Sequence, residues 1–288
     1  MTNIFQCVSC RSPINVSLDR PSEISCNNCQ FKYIVDRNYL QYGYDQLLLE
    51  EFKEKYLLNK ALNNNGYLSY IFLKEGSLSL PGRDDVALFR DYILSKIKGG
   101  RVLDAGCGVL ELPGYLQFPP ESQFELFGID PIENRSFRGT RITGCTEFLP
   151  FTDESLDAVV FATSLDHVCS LQKTILETKR ILVRNGKILI WMGDRSKSFL
   201  RNLKTSILQF LCPPSFKKTN VPYRVNKFYV YPNYTVFYIP DGAIDPFHAF
   251  NENPKEIIKL FKKEGFVCDD YSYHNQDLVF LTFAKGGR

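Results

Sequence analysis

Val102-Leu103-Asp104-Ala105-Gly106-Cys107-Gly108 is the stretch that decides how this chain is read. Two apolar residues end a buried strand, an acid follows, and a glycine-rich turn comes next. Glycine is needed where backbone turns with positive φ or approaches a ligand closely. At the carboxyl end of a strand in an open α/β sheet, such a turn makes a nucleotide crevice. Further on, Phe127-Gly128-Ile129-Asp130 ends a second strand with another acid. An acid about twenty residues past the turn is placed to hydrogen-bond the ribose hydroxyls.

The acid precedes the glycines, and the turn does not follow the G-x-G-x-x-G order of dinucleotide sites. It resembles motif I of the class I S-adenosylmethionine-dependent methyltransferases, D/E-x-G-x-G-x-G, through Asp104, Gly106 and Gly108. Leu110 stands at the third glycine position, and Pro113-Gly114 would shift the start of the helix after the loop. Cys145-Thr146-Glu147-Phe148-Leu149-Pro150-Phe151 is similar to the family's D-A-E-x-L-P-F segment, which closes over adenine. Cys145 replaces the aspartate, so the adenine amino group would rely on Thr146 or on backbone atoms. Ser155 to Phe161 resembles the fourth strand and Ser164-Leu165-Asp166-His167-Val168 the loop after it. Glu177 to Leu182, running into Asn185 to Ile190, resembles the helix, glycine turn and fifth strand. The resemblance implies a Rossmann-like, doubly wound, seven-stranded α/β sheet that binds S-adenosylmethionine. It implies cofactor contacts from Asp104, Gly106, Gly108, Asp130, Thr146, Glu147 and Ser164. The competing reading is another doubly wound nucleotide fold.

Cys7-x-x-Cys10 and Cys26-x-x-Cys29 are separated by fifteen residues, a spacing that fits a four-cysteine zinc site. Each pair sits on a tight turn, so four thiolates can converge on one tetrahedral ion and leave no open position for water. Such a site is structural: a segment of about forty residues has too little core to fold alone. Two disulfides or four unrelated thiols are the alternatives, and disulfides need an oxidising compartment. The start of the chain has neither a charged nor an apolar leader region, so a cytoplasmic protein is expected. The remaining cysteines, Cys107, Cys145, Cys169, Cys212 and Cys268, read as small buried hydrophobes.

The chain has 288 residues, 44% hydrophobic and 23% charged, enough for one large domain and a small one. No apolar run approaches ~20 residues, which excludes a spanning helix. A net charge of +3 neither demands nor excludes nucleic acid. The expected organisation is a zinc ribbon over 1–40, a helical connector over 41–98 and a methyltransferase domain over 99–288. Apolar spacing predicts helices from Tyr44 to Asn63 and from Asp84 to Lys98. The second has Val86, Leu88, Phe89, Tyr92, Ile93 and Ile97 on its apolar face. Residues 196–250 are rich in tyrosine, phenylalanine and proline and read as a cap inserted over the substrate side. A helix from Pro254 to Lys263 and strands near Phe266–Tyr273 and Leu278–Ala284 close the chain.

A methyl group on a sulfonium is already activated, so transfer chiefly needs alignment of nucleophile, carbon and sulfur. A hydroxyl acceptor benefits from a base. His167, after the fourth strand, is the first candidate; its competing role is to cap the next helix or pack under the cofactor. His248, in Asp245-Pro246-Phe247-His248, is the second. His274 reads as a surface residue and Asp157 as structural. The late Asp-Pro-Phe-His segment resembles methyltransferases of small molecules, sugars or lipids, so a small or glycan-type acceptor is expected. A zinc ribbon ahead of such a domain also resembles ribosomal RNA guanine methyltransferases. Against that, Arg11, Arg20, Lys32 and Arg37 are offset by Asp19, Glu23 and Asp36. A third reading is a zinc-ribbon binding module with a degenerate cofactor site.

Overall fold

The computed structural model describes residues 4–47, 84–108, 110–132, 135–194, 223–225, 228–230, 236–238, 253–274 and 278–286. The chain begins with three short strands, β1 (Ser22–Ser25), β2 (Lys32–Asp36) and β3 (Tyr39–Tyr42). Helix α1 (Asp84–Lys96) leads into β4 (Gly99–Ala105), β5 (Gln123–Asp130), β6 (Thr140–Thr143) and β7 (Leu156–Ala162). Then come α2 (Leu171–Ile181), β8 (Leu182–Gly193), and β9 to β11 (Tyr223–Val225, Phe228–Val230, Val236–Tyr238). Helix α3 (Pro254–Lys263), β12 (Phe266–Tyr273) and β13 (Leu278–Lys285) finish it.

One sheet holds ten strands in the order β1-β2-β3-β6-β5-β4-β7-β8-β13-β12. Strands β4 to β8 run parallel, and the β12–β13 hairpin inserts β13 antiparallel against β8. The section from β6 to β12 is the expected seven-stranded, doubly wound sheet. The sheet continues past its β6 edge. The ribbon strands are not a separate body: β3 pairs in parallel with β6, Tyr39 opposite Arg141 and Leu40 opposite Ile142. An exposed edge of β6 would present unpaired backbone groups, and β3 covers it.

Side chains alternate across this sheet, as a strand demands. Leu103, Ile188, Ile190, Val279 and Leu281 face one layer, with α2, α3 and the ribbon. Val102, Leu189, Trp191 and Phe280 face the other, with α1. Burial on both faces is why the parallel strands read as continuous apolar runs.

Helix α1 buries Val86, Phe89, Tyr92 and Ile93, but Leu88 is exposed. Its position between Val86 and Phe89 turns it off the stripe. Helix α2 starts at Ser170, whose hydroxyl accepts from the Lys173 N–H. Helix α3 is capped by Asn253 with Pro254 in its first turn, and Gly265 at φ 87° ends it. The expected helix after the glycine turn is not formed among the described residues. A single 3-10 turn over Gly114–Leu116 stands there. Of the expected helix from Tyr44 to Asn63, only a 3-10 turn over Tyr44–Gln46 is described; the rest lies outside the described residues. The proposed cap region is described only as β9 to β11, a small antiparallel sheet. No helix among the described residues is long and apolar enough to cross a membrane.

Candidate functional site

Strands β4, β5 and β7 end side by side and deliver the chemistry-bearing residues to one edge of the sheet. Gly106 and Gly108 have φ of 86° and 61°, a region that L side chains rarely enter. A Cβ on Gly106 would collide with the Ser164 side chain, whereas one on Gly108 would meet nothing within 4 Å. So Gly106 serves close packing and Gly108 borders open space. The turn is pinned to β5 by the N–H groups of Gly106 and Cys107, both on the Ile129 carbonyl at 2.8 and 3.3 Å.

Asp130 anchors the turn a second time. Its carboxylate accepts from the Gly108 N–H at 2.9 Å and the Ile132 N–H at 2.8 Å, and it keeps 8% of its surface exposed. Each carboxylate oxygen has further lone pairs, so these bonds leave acceptor capacity for a ribose. Asp104 is sealed in. The Tyr115 hydroxyl lies 2.9 and 3.1 Å from its two oxygens, and no part of it reaches solvent. Burial lifts its carboxyl to about 7; the Tyr115 hydroxyl and the Arg141 charge oppose this, while Asp130 adds to it. Arg141, only 1% exposed, lies beneath the same turn. It donates to the Cys107 sulfur and, at 2.6 Å, to the Ile132 carbonyl. Burial pushes the Cys107 thiol well up, so this is a neutral thiol in a packed position.

Thr146 and Glu147 face inward instead of toward the crevice. The Thr146 hydroxyl pairs with that of Thr174 at 2.9 Å. Glu147 accepts from the N–H groups of Cys169 and Ser170 at 2.7 and 2.9 Å, tying this segment to the start of α2. The Ser164 hydroxyl is bonded to the Ala105 carbonyl at 2.5 Å. His167 sits on a 3-10 turn over Leu165–His167, partly exposed. Its Nε2 is 3.7 Å from Asp166 Oδ1, beyond hydrogen-bond length. His248 lies outside the described residues. His274 is exposed and Asp157 accepts from the Arg101 N–H at 2.7 Å, both as expected.

Thr163, Tyr115 and Arg141 were not singled out from sequence. Thr163 follows β7 with φ 55° and is exposed. A β-branched residue in that region is strained, and such outliers gather at functional sites. A Tyr eleven residues past the motif acid, and an Arg at a strand position, carried no pattern that marks them.

At the other end of the chain, Cys7, Cys10, Cys26 and Cys29 are free thiols whose sulfurs all lie within 4.8 Å of one another. Cys7 is 3.5 Å from Cys29, and Cys10 is 3.5 Å from Cys26. A tetrahedral Zn–S site has sulfurs about 3.8 Å apart, so the set fits one ion. Ser12 and Asn28 pull the Cys10 thiol down to about 5, while burial pushes Cys7 up to about 11.

Residues 103–190 match the family model described as a methyltransferase domain. An uncharacterized protein of Methanocaldococcus jannaschii is 27% identical over 179 residues, 62% of this chain and 66% of that protein, just under two thirds of its length. Among solved structures, the PH0226 protein of Pyrococcus horikoshii superposes with a TM-score of 0.49 at 19% identity, covering 72% of this chain and 94% of that one. The Burkholderia thailandensis 1,6-didemethyltoxoflavin-N1-methyltransferase gives 0.49 at 12%, covering 93% and 100%. The matched residues hold the strands that carry the glycine turn and its two acids, and over 103–190 the chain is similar to a methyltransferase domain.

Proposed function

We propose that the chain transfers the methyl group of S-adenosylmethionine to a small-molecule, glycan or lipid-type acceptor. The observation that carries the choice over RNA is where the ribbon's charge goes. Arg11, half-exposed, is held in an ion pair with Glu177 of the same chain at 2.6 Å. Asp36 is paired with Arg135 at 2.7 Å, and exposed Arg20, Lys32 and Arg37 are interspersed with exposed Asp19 and Glu23. RNA binding calls for a positive track with stacking aromatics, and this ribbon presents a mixed surface.

When bound, S-adenosylmethionine supplies an activated methyl carbon. The chain's residues then have separate tasks. The Gly106–Gly108 turn leaves room for the cofactor, and Asp130 accepts from the ribose hydroxyls. Asp104 acts from beneath, fixing the turn's floor with Tyr115. Glu147 and Thr146 hold the adenine-side segment by inward hydrogen bonds. His167, with His248 as second candidate, takes the proton from an acceptor hydroxyl. The four cysteines would hold one structural zinc ion.

The test is incubation of the full chain with radiolabelled S-adenosylmethionine and fractionated cell extract. Label in the low-molecular-weight or lipid fraction is the expected result. Label confined to RNA would overturn the acceptor class and favour a ribosomal RNA base.

A further inference from the structure

We propose that the N-terminal ribbon builds the nucleoside side of the cofactor crevice, with Tyr42 and Arg11 as positioning residues for the 144–149 segment. This rests on the reading that the crevice binds S-adenosylmethionine. The segment leaves the carboxyl end of β6 next to Asp130, with the Gly144 N–H on the Asp130 carbonyl at 3.1 Å. A nucleoside whose ribose reaches Asp130 therefore lies beside it. The side chains of Thr146 and Glu147 point into the protein, and Cys145 is a buried thiol. What this segment offers a base is its backbone, and backbone recognition depends on where the loop is held.

The ribbon does that holding. Tyr42, 2% exposed, reaches across from β3. Its hydroxyl donates to the Phe148 carbonyl and accepts from the Cys145 N–H at 3.2 Å, so one side chain fixes both ends of a tight turn. Gly144 is the residue that makes room, since a Cβ there would overlap the Tyr42 ring. Arg11 follows Cys10 in the first cysteine turn, with φ 64° and its N–H on the Cys7 carbonyl at 2.9 Å. Its guanidinium grips both Glu177 oxygens at 3.0 and 2.6 Å, and Glu177 accepts from the Leu149 N–H at 3.0 Å. Burial raises the Glu177 carboxyl, but the Arg180 guanidinium and then that of Arg11 outweigh it and hold it below its ordinary range. The Tyr44 hydroxyl reaches the Pro131 carbonyl at 3.2 Å, just past Asp130. The Gln6 N–H and Ile4 carbonyl bond Pro150 and Thr152 at 2.9 and 2.8 Å. The ribbon thus meets the chain at Cys145, Phe148 and Leu149 and follows it to Thr152.

The test is calorimetric titration of the full chain with S-adenosylhomocysteine and with its inosine analogue, which differs only on the edge of the base. Tyr42→Phe keeps the ring volume, and Arg11→Ala removes a half-exposed group, so both are expected to fold; thermal unfolding run alongside checks this. Loss of one buried hydrogen bond corresponds to about tenfold in affinity. The expected result is S-adenosylhomocysteine binding about tenfold weaker in each variant, a narrower preference for adenine over hypoxanthine, and partial recovery in Arg11→Lys. If the wild type binds and both variants keep its affinity within about twofold, the proposal fails while the cofactor reading stands. An equal loss on both ligands would mean general loosening, which also overturns it. A wild type that binds neither ligand would overturn the cofactor reading and this proposal with it.

Discussion

Asp104 is the residue where burial and chemistry conflict most. Its carboxyl is lifted from 3.8 to about 7 by full burial. The folded chain therefore holds a proton between roughly pH 4 and 7 that the unfolded chain has released. Stability from this group falls as pH rises through that window and levels off above it. Asp104→Asn removes the titration, so the variant should lose less thermal stability than the wild type between pH 4.5 and 8. The difference is on the order of a few kcal/mol; parallel curves would show that Asp104 keeps an ordinary carboxyl. His167 makes a different prediction. If it is the base, His167→Ala lowers turnover by about a hundredfold or more and leaves cofactor affinity unchanged. Equal turnover would assign it to packing on its 3-10 turn. The positions of Asp104, Gly106, Gly108 and Asp130 at two strand ends and one tight turn were legible from local backbone reasons, but the full burial of Asp104 under Tyr115 was not. Tyr115, Arg141, Thr163 and Tyr42 were not, because their roles exist only through neighbours distant in sequence. The Thr146–Glu147 segment was legible in place but not in orientation, since a motif carries no information on which way a side chain turns.

At the scale of elements, the cysteine spacing marked the ribbon, and the paired sulfurs lie where one ion needs them. Purified chain should carry about one zinc, lost in a Cys26→Ser, Cys29→Ser double variant. Because β3 covers the edge of β6, metal loss should lower the unfolding temperature of the whole sheet in one transition. Two separate transitions would show the ribbon to be an independent body. That merger was not legible: Tyr39 to Tyr42 reads as an ordinary short strand, and nothing local names β6 as its partner. Helix α1 was legible from apolar spacing, apart from Leu88, the end of α2 from its resemblance to the family's helix, and α3 over Pro254–Lys263, while the caps at Ser170 and Asn253 were not singled out. The missing helix after the glycine turn follows from Leu110 and Pro113, which depart from the family's pattern at the point where that helix would begin.

For the whole molecule, the strand order brings the carboxyl ends of β4, β5 and β6 together, with Asp104 buried under the glycine turn and the ribbon bonded to the 144–149 segment. The departures at Leu110 and Cys145 alter the loop and one side chain and leave Asp130 in place. Asp130→Ala should weaken binding by about tenfold or more, because it removes an anchor of the Gly108 turn and the carboxylate proposed to accept from the ribose. The acceptor class was least legible, since fold does not fix function and the cap lies largely outside the described residues. The measurement that tests the central claim most directly is calorimetric titration of the purified chain with S-adenosylmethionine and S-adenosylhomocysteine. Saturable micromolar binding of both, weakened in Asp130→Ala, is the predicted result. No heat of binding from either ligand, in a chain shown to be folded, would contradict the account and leave a ribbon-bearing module with a lost cofactor site.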